Sequence, residues 1–414
     1  GNAISRIWRF GYNLVSQATG LGISGNIIDC YAAILRMWEP GDRIFLFGFS
    51  RGAYTVRCLA AVLSSCGVPT QMKDGSPLRR DKSTSRAIAK EAVTRVYQHV
   101  SSPRDAKYLP QRTALAERFR FQYGSNSETA SNAHPHFIGV FDTVASLGSY
   151  TAFAGFVAMA AILIAAASFV LSYVAMSFWN WFAGFSAAAI IAFAVAYVWT
   201  HFRWARKLEG YPFWSTVHFT EPRMKFYDQQ LNKHVAYARH AISIDEYRGD
   251  FPRVPWGFKG SWQTREPNGP LWFKQFWFAG NHADIGGGYP ENESRLSDIA
   301  LQWMKEEAMA IPGGLLVDEM VLRTYPSPAG MQHDETRAGL FKYGRKTPRT
   351  PISEATLHPS VLERFECGAV LQYDEMLPYR PAVLSQHVGL TDYYKCDAVG
   401  GSKLGELARS ETGK

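Results

Sequence analysis

Apolar residues recur at helical spacing over residues 25–39, where Ile27, Ile28, Tyr31, Ile34, Leu35 and Trp38 stripe one face. Pro40-Gly41-Asp42 stops that pattern. From Arg43 to Gly48 the chain is almost wholly apolar, with Ile44-Phe45-Leu46-Phe47 at its centre. A run this short, bounded by turn residues, predicts a strand buried on both faces of a parallel sheet. Residues 51–66 return to helical periodicity. Helix, strand, tight turn and helix in succession predict an α/β fold.

Downstream, Pro69 to Ser85 is polar and predicts a surface loop, and helices are expected near 86–100 and 113–123. His136 to Phe141 predicts a second buried strand ending at Asp142, Ala236 to Ile244 a third ending at Asp245, and Leu271 to Phe278 a fourth just before Asn281-His282. A helix is expected near 294–310, and residues 311–414, rich in Pro and Gly, are expected to be irregular.

Between the second and third strands lies a stretch with a different pattern. From Thr143 to Phe202 there is no Asp, Glu, Lys or Arg. Segments 153–175 and 182–200 are each long enough to cross a bilayer, which needs about 20 apolar residues. Ser177 to Trp181 supplies interfacial aromatic and turn residues at the tip, and Arg203, Arg206 and Lys207 follow the second span at headgroup level. The expected organisation is therefore a first catalytic segment over 1–150, a membrane-anchoring helical hairpin over 151–202, and a second catalytic segment over 203–414. The formal net charge of +8 fits an anionic membrane surface. No nucleic-acid-reading motif accompanies it, so no nucleic-acid partner is expected. The cysteines Cys30, Cys58, Cys66, Cys367 and Cys396 are odd in number with no CxxC pair, as in a protein made in the cytoplasm with reduced thiols.

Candidate chemistry sits at the strand ends. Gly48-Phe49-Ser50-Arg51-Gly52 fits G-x-S-x-G, in which a serine occupies a strained strand-to-helix turn and glycines on both sides relieve steric clash. Ser50 is thus the expected nucleophile, and the backbone N–H of Arg51 an oxyanion donor. Among eleven histidines, His282 is best placed as the base, in a loop after the fourth strand and before Ile285-Gly286-Gly287-Gly288. Two strand-end acids, Asp142 and Asp245, compete to orient it, and spacing alone leaves both open. His282 with Asp284 lacks the further ligands of a metal site, and no cofactor is expected.

Four motifs in order resemble one bacterial α/β-hydrolase family, which includes phospholipase effectors of type VI secretion systems. They are Gly48 to Tyr54, Phe141-Asp142-Thr143-Val144, Arg239-His240-Ala241-Ile242 with Asp245-Glu246, and His282 to Tyr289. His358-Pro359-Ser360-Val361 with Arg364, and Tyr379-Arg380-Pro381, are similar to the family's C-terminal signatures. The resemblance implies phospholipid ester hydrolysis by Ser50, Asp142 and His282, with Asp245 in a structural role. It also implies delivery into a target cell and, as partners, a spike carrier, a chaperone and an immunity protein. The family's opening strand and Asp-Gly-Thr segment have no counterpart ahead of Ser50. The leading strands, and a second oxyanion donor with them, are therefore expected from a separate or further N-terminal segment.

Topology ties the hairpin to the chemistry. Ser50 and Asp142 precede it and His282 follows it, so one site requires an even number of crossings. Two competing expectations remain: a membrane-tethered esterase acting on non-phospholipid esters, and a membrane-anchored interaction or pore-forming protein whose hydrolase fold is inactive.

Overall fold

The computed structural model describes residues 21–127, 131–144, 150–220, 231–249, 251–256, 264, 267–337, 342, 344–349 and 353–395, with the backbone alone at 21, 150–154 and 156. In chain order these form α1 (Leu21–Met37), β1 (Ile44–Phe49), α2 (Arg51–Cys66), α3 (Lys82–Glu91), α4 (Leu109–Tyr123), β2 (Pro135–Phe141), α5 (Tyr150–Leu171) and α6 (Phe178–His201). There follow β3 (Tyr237–Ser243), β4 (Phe273–Phe278), α7 (His282–Gly286), α8 (Arg295–Met309) and α9 (Pro359–Glu366). Contacts divide the chain into two units, one comprising 1–44, 55–135 and 146–235, the other 45–54, 136–145 and 236–414.

The second unit holds the sheet, ordered β1-β2-β3-β4. β2 and β3 pair in parallel with Phe137 opposite Tyr237, and β3 and β4 with Ala241 opposite Phe276. Side chains alternate across a strand, so both faces of this apolar sheet need cover. On one face, Phe137, Phe141, Tyr237, Ala241 and Phe278 pack with Leu296, Trp303 and Met304 of α8. On the other, Ile242 and Trp277 pack with Val361 and Phe365 of α9 and with Tyr379. The result is an α/β fold, a parallel sheet flanked by helices. Arg239, fully buried, is held by Glu307 of α8 and by the carbonyl oxygens of Ala238 and Leu271, which explains the cation within this strand.

The first unit is helical. Its buried residues include Ile27, Tyr31 and Leu35 of α1, Leu59 and Leu63 of α2, Ile88 of α3 and Phe119 of α4. The stripe expected over 25–39 is thus the buried face of α1. The loop expected as far as Ser85 ends sooner, because the Asp81 carboxylate accepts the Thr84 N–H and caps α3 at Lys82. The helix expected over 86–100 is not regular. It passes into a π turn at Ala92–Val96 and a 3-10 turn at Tyr97–His99.

The charge-free stretch forms α5 and α6. The tip falls earlier than expected, at 172–177, with Met176 in the left-handed region, so Trp179 and Trp181 lie within α6 rather than in the turn. Phe178–His201 is long and apolar enough to cross a membrane, and none of it is buried. Within α5, Val157–Leu171 is likewise apolar. Ile162, Leu163, Val170, Ile190, Ile191 and Trp199 are each more than 60% exposed.

The C-terminal stretch is less irregular than its composition suggests. It carries α9, capped by the His358 ring, and an antiparallel ribbon of Val370–Gln372 with Glu375–Leu377. Cys30, Cys66 and Cys367 are free thiols, Cys58 is buried, and Cys396 lies outside the described residues.

Candidate active site

Ser50 sits between β1 and α2 in the left-handed region, at φ 58°. That conformation costs a side-chain-bearing residue of order 1–3 kcal/mol and marks a constrained turn. Gly48 is required here, because a Cβ at that position would lie 2.5 Å from the Gly52 carbonyl oxygen. The Ser50 N–H donates to the Phe141 carbonyl at 3.1 Å, which brings the end of β1 beside the end of β2. Arg51 opens α2, so its N–H lies in the first turn of a helix.

Asp142, the residue after Phe141, is fully buried and also has a positive φ, 38°. Its Oδ2 lies 2.6 Å from His282 Nδ1, and its Oδ1 accepts the Ser243 N–H at 3.1 Å. Arg349 then grips both oxygens, Nη1 on Oδ1 at 2.6 Å and Nη2 on Oδ2 at 2.8 Å. Burial alone would raise the Asp142 carboxyl, but the Arg349 guanidinium and the His282 hydrogen bond hold it well below the usual carboxylate range.

His282 begins α7. Asn281 caps that helix by accepting the N–H groups of Ala283 and Asp284, while Asp284 accepts the Asn281 N–H at 3.0 Å. The imidazole lies between two rings, Phe49 at 4.5 Å and Phe251 at 5.3 Å between centroids. Gly286 makes that packing possible, because a Cβ there would overlap the Phe49 ring. Since the Asp142 carboxylate only accepts, Nδ1 donates to it, and in the neutral ring Nε2 holds the lone pair.

The structure therefore brings Asp142, not Asp245, to His282. Asp245 is committed elsewhere: its carboxylate accepts the Gly280 N–H at 2.7 Å and the Tyr379 hydroxyl at 2.8 Å. It ties the end of β3 to the loop that carries His282. Burial pushes its pKa up to about 6. Ser50 is placed through its neighbours, Phe49 against the His282 ring and Phe141 against its own N–H. Among the described residues no hydrogen bond joins the Ser50 hydroxyl to His282. A cavity of about 320 Å³ is lined by Asp245, Tyr247, His333, Arg337 and Arg380, with neither Ser50 nor His282 in its wall.

Sequence alone gives Glu246 only as part of a motif, without a role, and places Arg349 in no motif at all. Glu246 accepts the His282 backbone N–H at 3.2 Å and is paired with Arg248, and its place beside Asp245 was the available signal. Arg349 had none. It lies 207 residues from Asp142 in a segment without periodicity.

No group of three or more His, Cys, Asp or Glu among the described residues could hold a metal. The arrangement defines a class: an α/β protein whose strand ends carry a constrained serine and a carboxylate-bound imidazole. The family follows from comparison. Residues 1–178 and 180–307 match the family described as "T6SS, Phospholipase effector Tle1-like, catalytic domain". The chain belongs to these type VI secretion phospholipase effectors. It is also similar to an uncharacterized protein of Saccharomyces cerevisiae, 29% identical over 136 residues, covering 33% of this chain and 17% of the yeast protein. Among solved structures, an uncharacterized protein from Pseudomonas aeruginosa matches at 17% identity and a TM-score of 0.23, over 68% of this chain and 26% of that one. The chain thus spans a minor part of both relatives.

Proposed function

We propose that this protein is a membrane-associated serine phospholipase of the α/β-hydrolase type, acting through Ser50, His282 and Asp142. The observation that carries the reading is the buried Asp142–His282 pair at the strand ends, one residue from the carbonyl that binds the Ser50 N–H. His282 Nε2 takes the Ser50 proton, and the serine oxygen attacks a lipid ester carbonyl. The Arg51 N–H stabilises the oxyanion, His282 protonates the leaving alcohol, and water then hydrolyses the acyl-enzyme.

The exposed apolar surface of α5 and α6 supports insertion of the hairpin into a bilayer. Anchoring there holds the enzyme at the layer where its substrate esters lie, at high local concentration. The test is fatty-acid release from phospholipid vesicles, compared with cleavage of a soluble short-chain ester. Wild-type protein is expected to cleave both and S50A neither. Vesicle leakage that persists undiminished in S50A would defeat the enzymatic reading in favour of a pore-forming one.

A further inference from the structure

A carboxylate beside an imidazole normally stabilises the imidazolium as well as orienting the ring. Here the carboxylate is shared. Both Asp142 oxygens are bound by Arg349, whose side chain is itself buried and also reaches the Ser243 carbonyl at 3.3 Å. In so little water, charges act on each other with weak screening. We infer that Arg349 is a positioning residue for the proposed reaction: its guanidinium fixes the Asp142 carboxylate and offsets its charge. Without that cation the full charge of the carboxylate would act on the ring and favour the imidazolium. This rests on the serine-hydrolase reading above.

The other charged groups around His282 leave that balance to Asp142 and Arg349. Glu246 accepts the His282 backbone N–H, and its charge is met by Arg248 through two hydrogen bonds. Asp284, in the same helix, turns to Asn281 and to the His333 ring at 2.7 Å. Asp245 faces Gly280 and Tyr379. Arg253 is a half-buried cation near Asp142 and Arg349, and acts in the same sense as Arg349. Phe49 and Phe251, whose rings lie against the imidazole, are uncharged. Among the described residues Asp142 is thus the one carboxylate hydrogen-bonded to the ring, and Arg349 the cation that forks it.

The experiment uses the full chain in detergent and follows the rate at which a fluorophosphonate labels Ser50, from about pH 4 to about 9, with S50A as control. The low-pH limb of that rate reports protonation of the proposed base, because Asp142 is held well below the usual carboxylate range. In R349M the limb is expected to move up by about one pH unit. R349K keeps the charge and loses the fork, so its limb stays near that of wild type while the plateau rate falls. Should R349M fail to fold, R349Q provides the same loss of charge with a donor retained. A limb shared by wild type and the neutral variant, whatever their stabilities, overturns the inference alone. Absence of labelling in folded wild-type protein at every pH overturns the serine-hydrolase reading, and this inference with it.

Discussion

Replacing Asp142 by Asn isolates what the buried carboxylate does. Its two oxygens accept four donors: the Ser243 N–H, His282 Nδ1 and both terminal nitrogens of Arg349. An amide offers one oxygen and places an NH2 group where only donors face it. If the oxygen takes the Oδ1 place, the NH2 group meets His282 Nδ1 and Arg349 Nη2, forces the proton to Nε2, and removes the lone pair that would accept from Ser50. If the amide flips, the NH2 group faces the Ser243 N–H and Arg349 Nη1. In either state the guanidinium loses its counter-charge inside the fold, which costs about 3–5 kcal/mol for a broken buried pair. The expected result is a matching loss of unfolding free energy in denaturant titration, and a fall of about ten-thousand-fold in fatty-acid release per folded molecule. Removing the stranded cation gives a second reading of the same physics. D142N with R349M is expected to be about 1–3 kcal/mol more stable than D142N alone, because no uncompensated charge is left buried. If D142N melts with wild type and keeps more than about a tenth of its activity, the pair is not what holds the imidazole.

Two further outcomes follow from neighbouring residues. Asp245 has a folded pKa of about 6 against an ordinary value of 3.8, so the folded protein binds that proton more tightly than the unfolded chain. Its stabilising contribution is complete below about pH 4 and is lost as pH rises through about 6, a decline of order 1–3 kcal/mol that D245N should lack; parallel stability–pH curves for the two proteins would refute this. Gly286→Ala would push on the Phe49 ring that backs His282. It is expected to cost about 1–3 kcal/mol in the melt and at least tenfold in activity, and unchanged activity would show that Phe49 does not hold the imidazole.

The elements that were legible in the sequence obey short-range rules. The Ser50 turn is specified by Gly48 and its flanking strand and helix, because the steric demand of a left-handed residue is met within a few positions. The four strands stand out as apolar runs because a sheet covered on both faces tolerates little else. The charge-free hairpin needs only composition. Capping was harder to see: Asp81 starts α3 four residues before the expected loop ends, since one side-chain hydrogen bond outweighs the polar character of the segment. The ribbon and α9 were hidden for a related reason, because their few apolar residues become a pattern only against the sheet they pack on.

The sequence by itself determined a constrained serine, a histidine after the last strand, two candidate acids and an apolar hairpin. Tertiary structure decided which acid lies against the histidine. Asp142 and Asp245 end adjacent parallel strands, and about 5 Å of lateral displacement separates one partner from the other, a distance that no local pattern encodes. It also supplied Arg349, because a salt bridge requires two groups to meet in space and imposes no spacing along the chain.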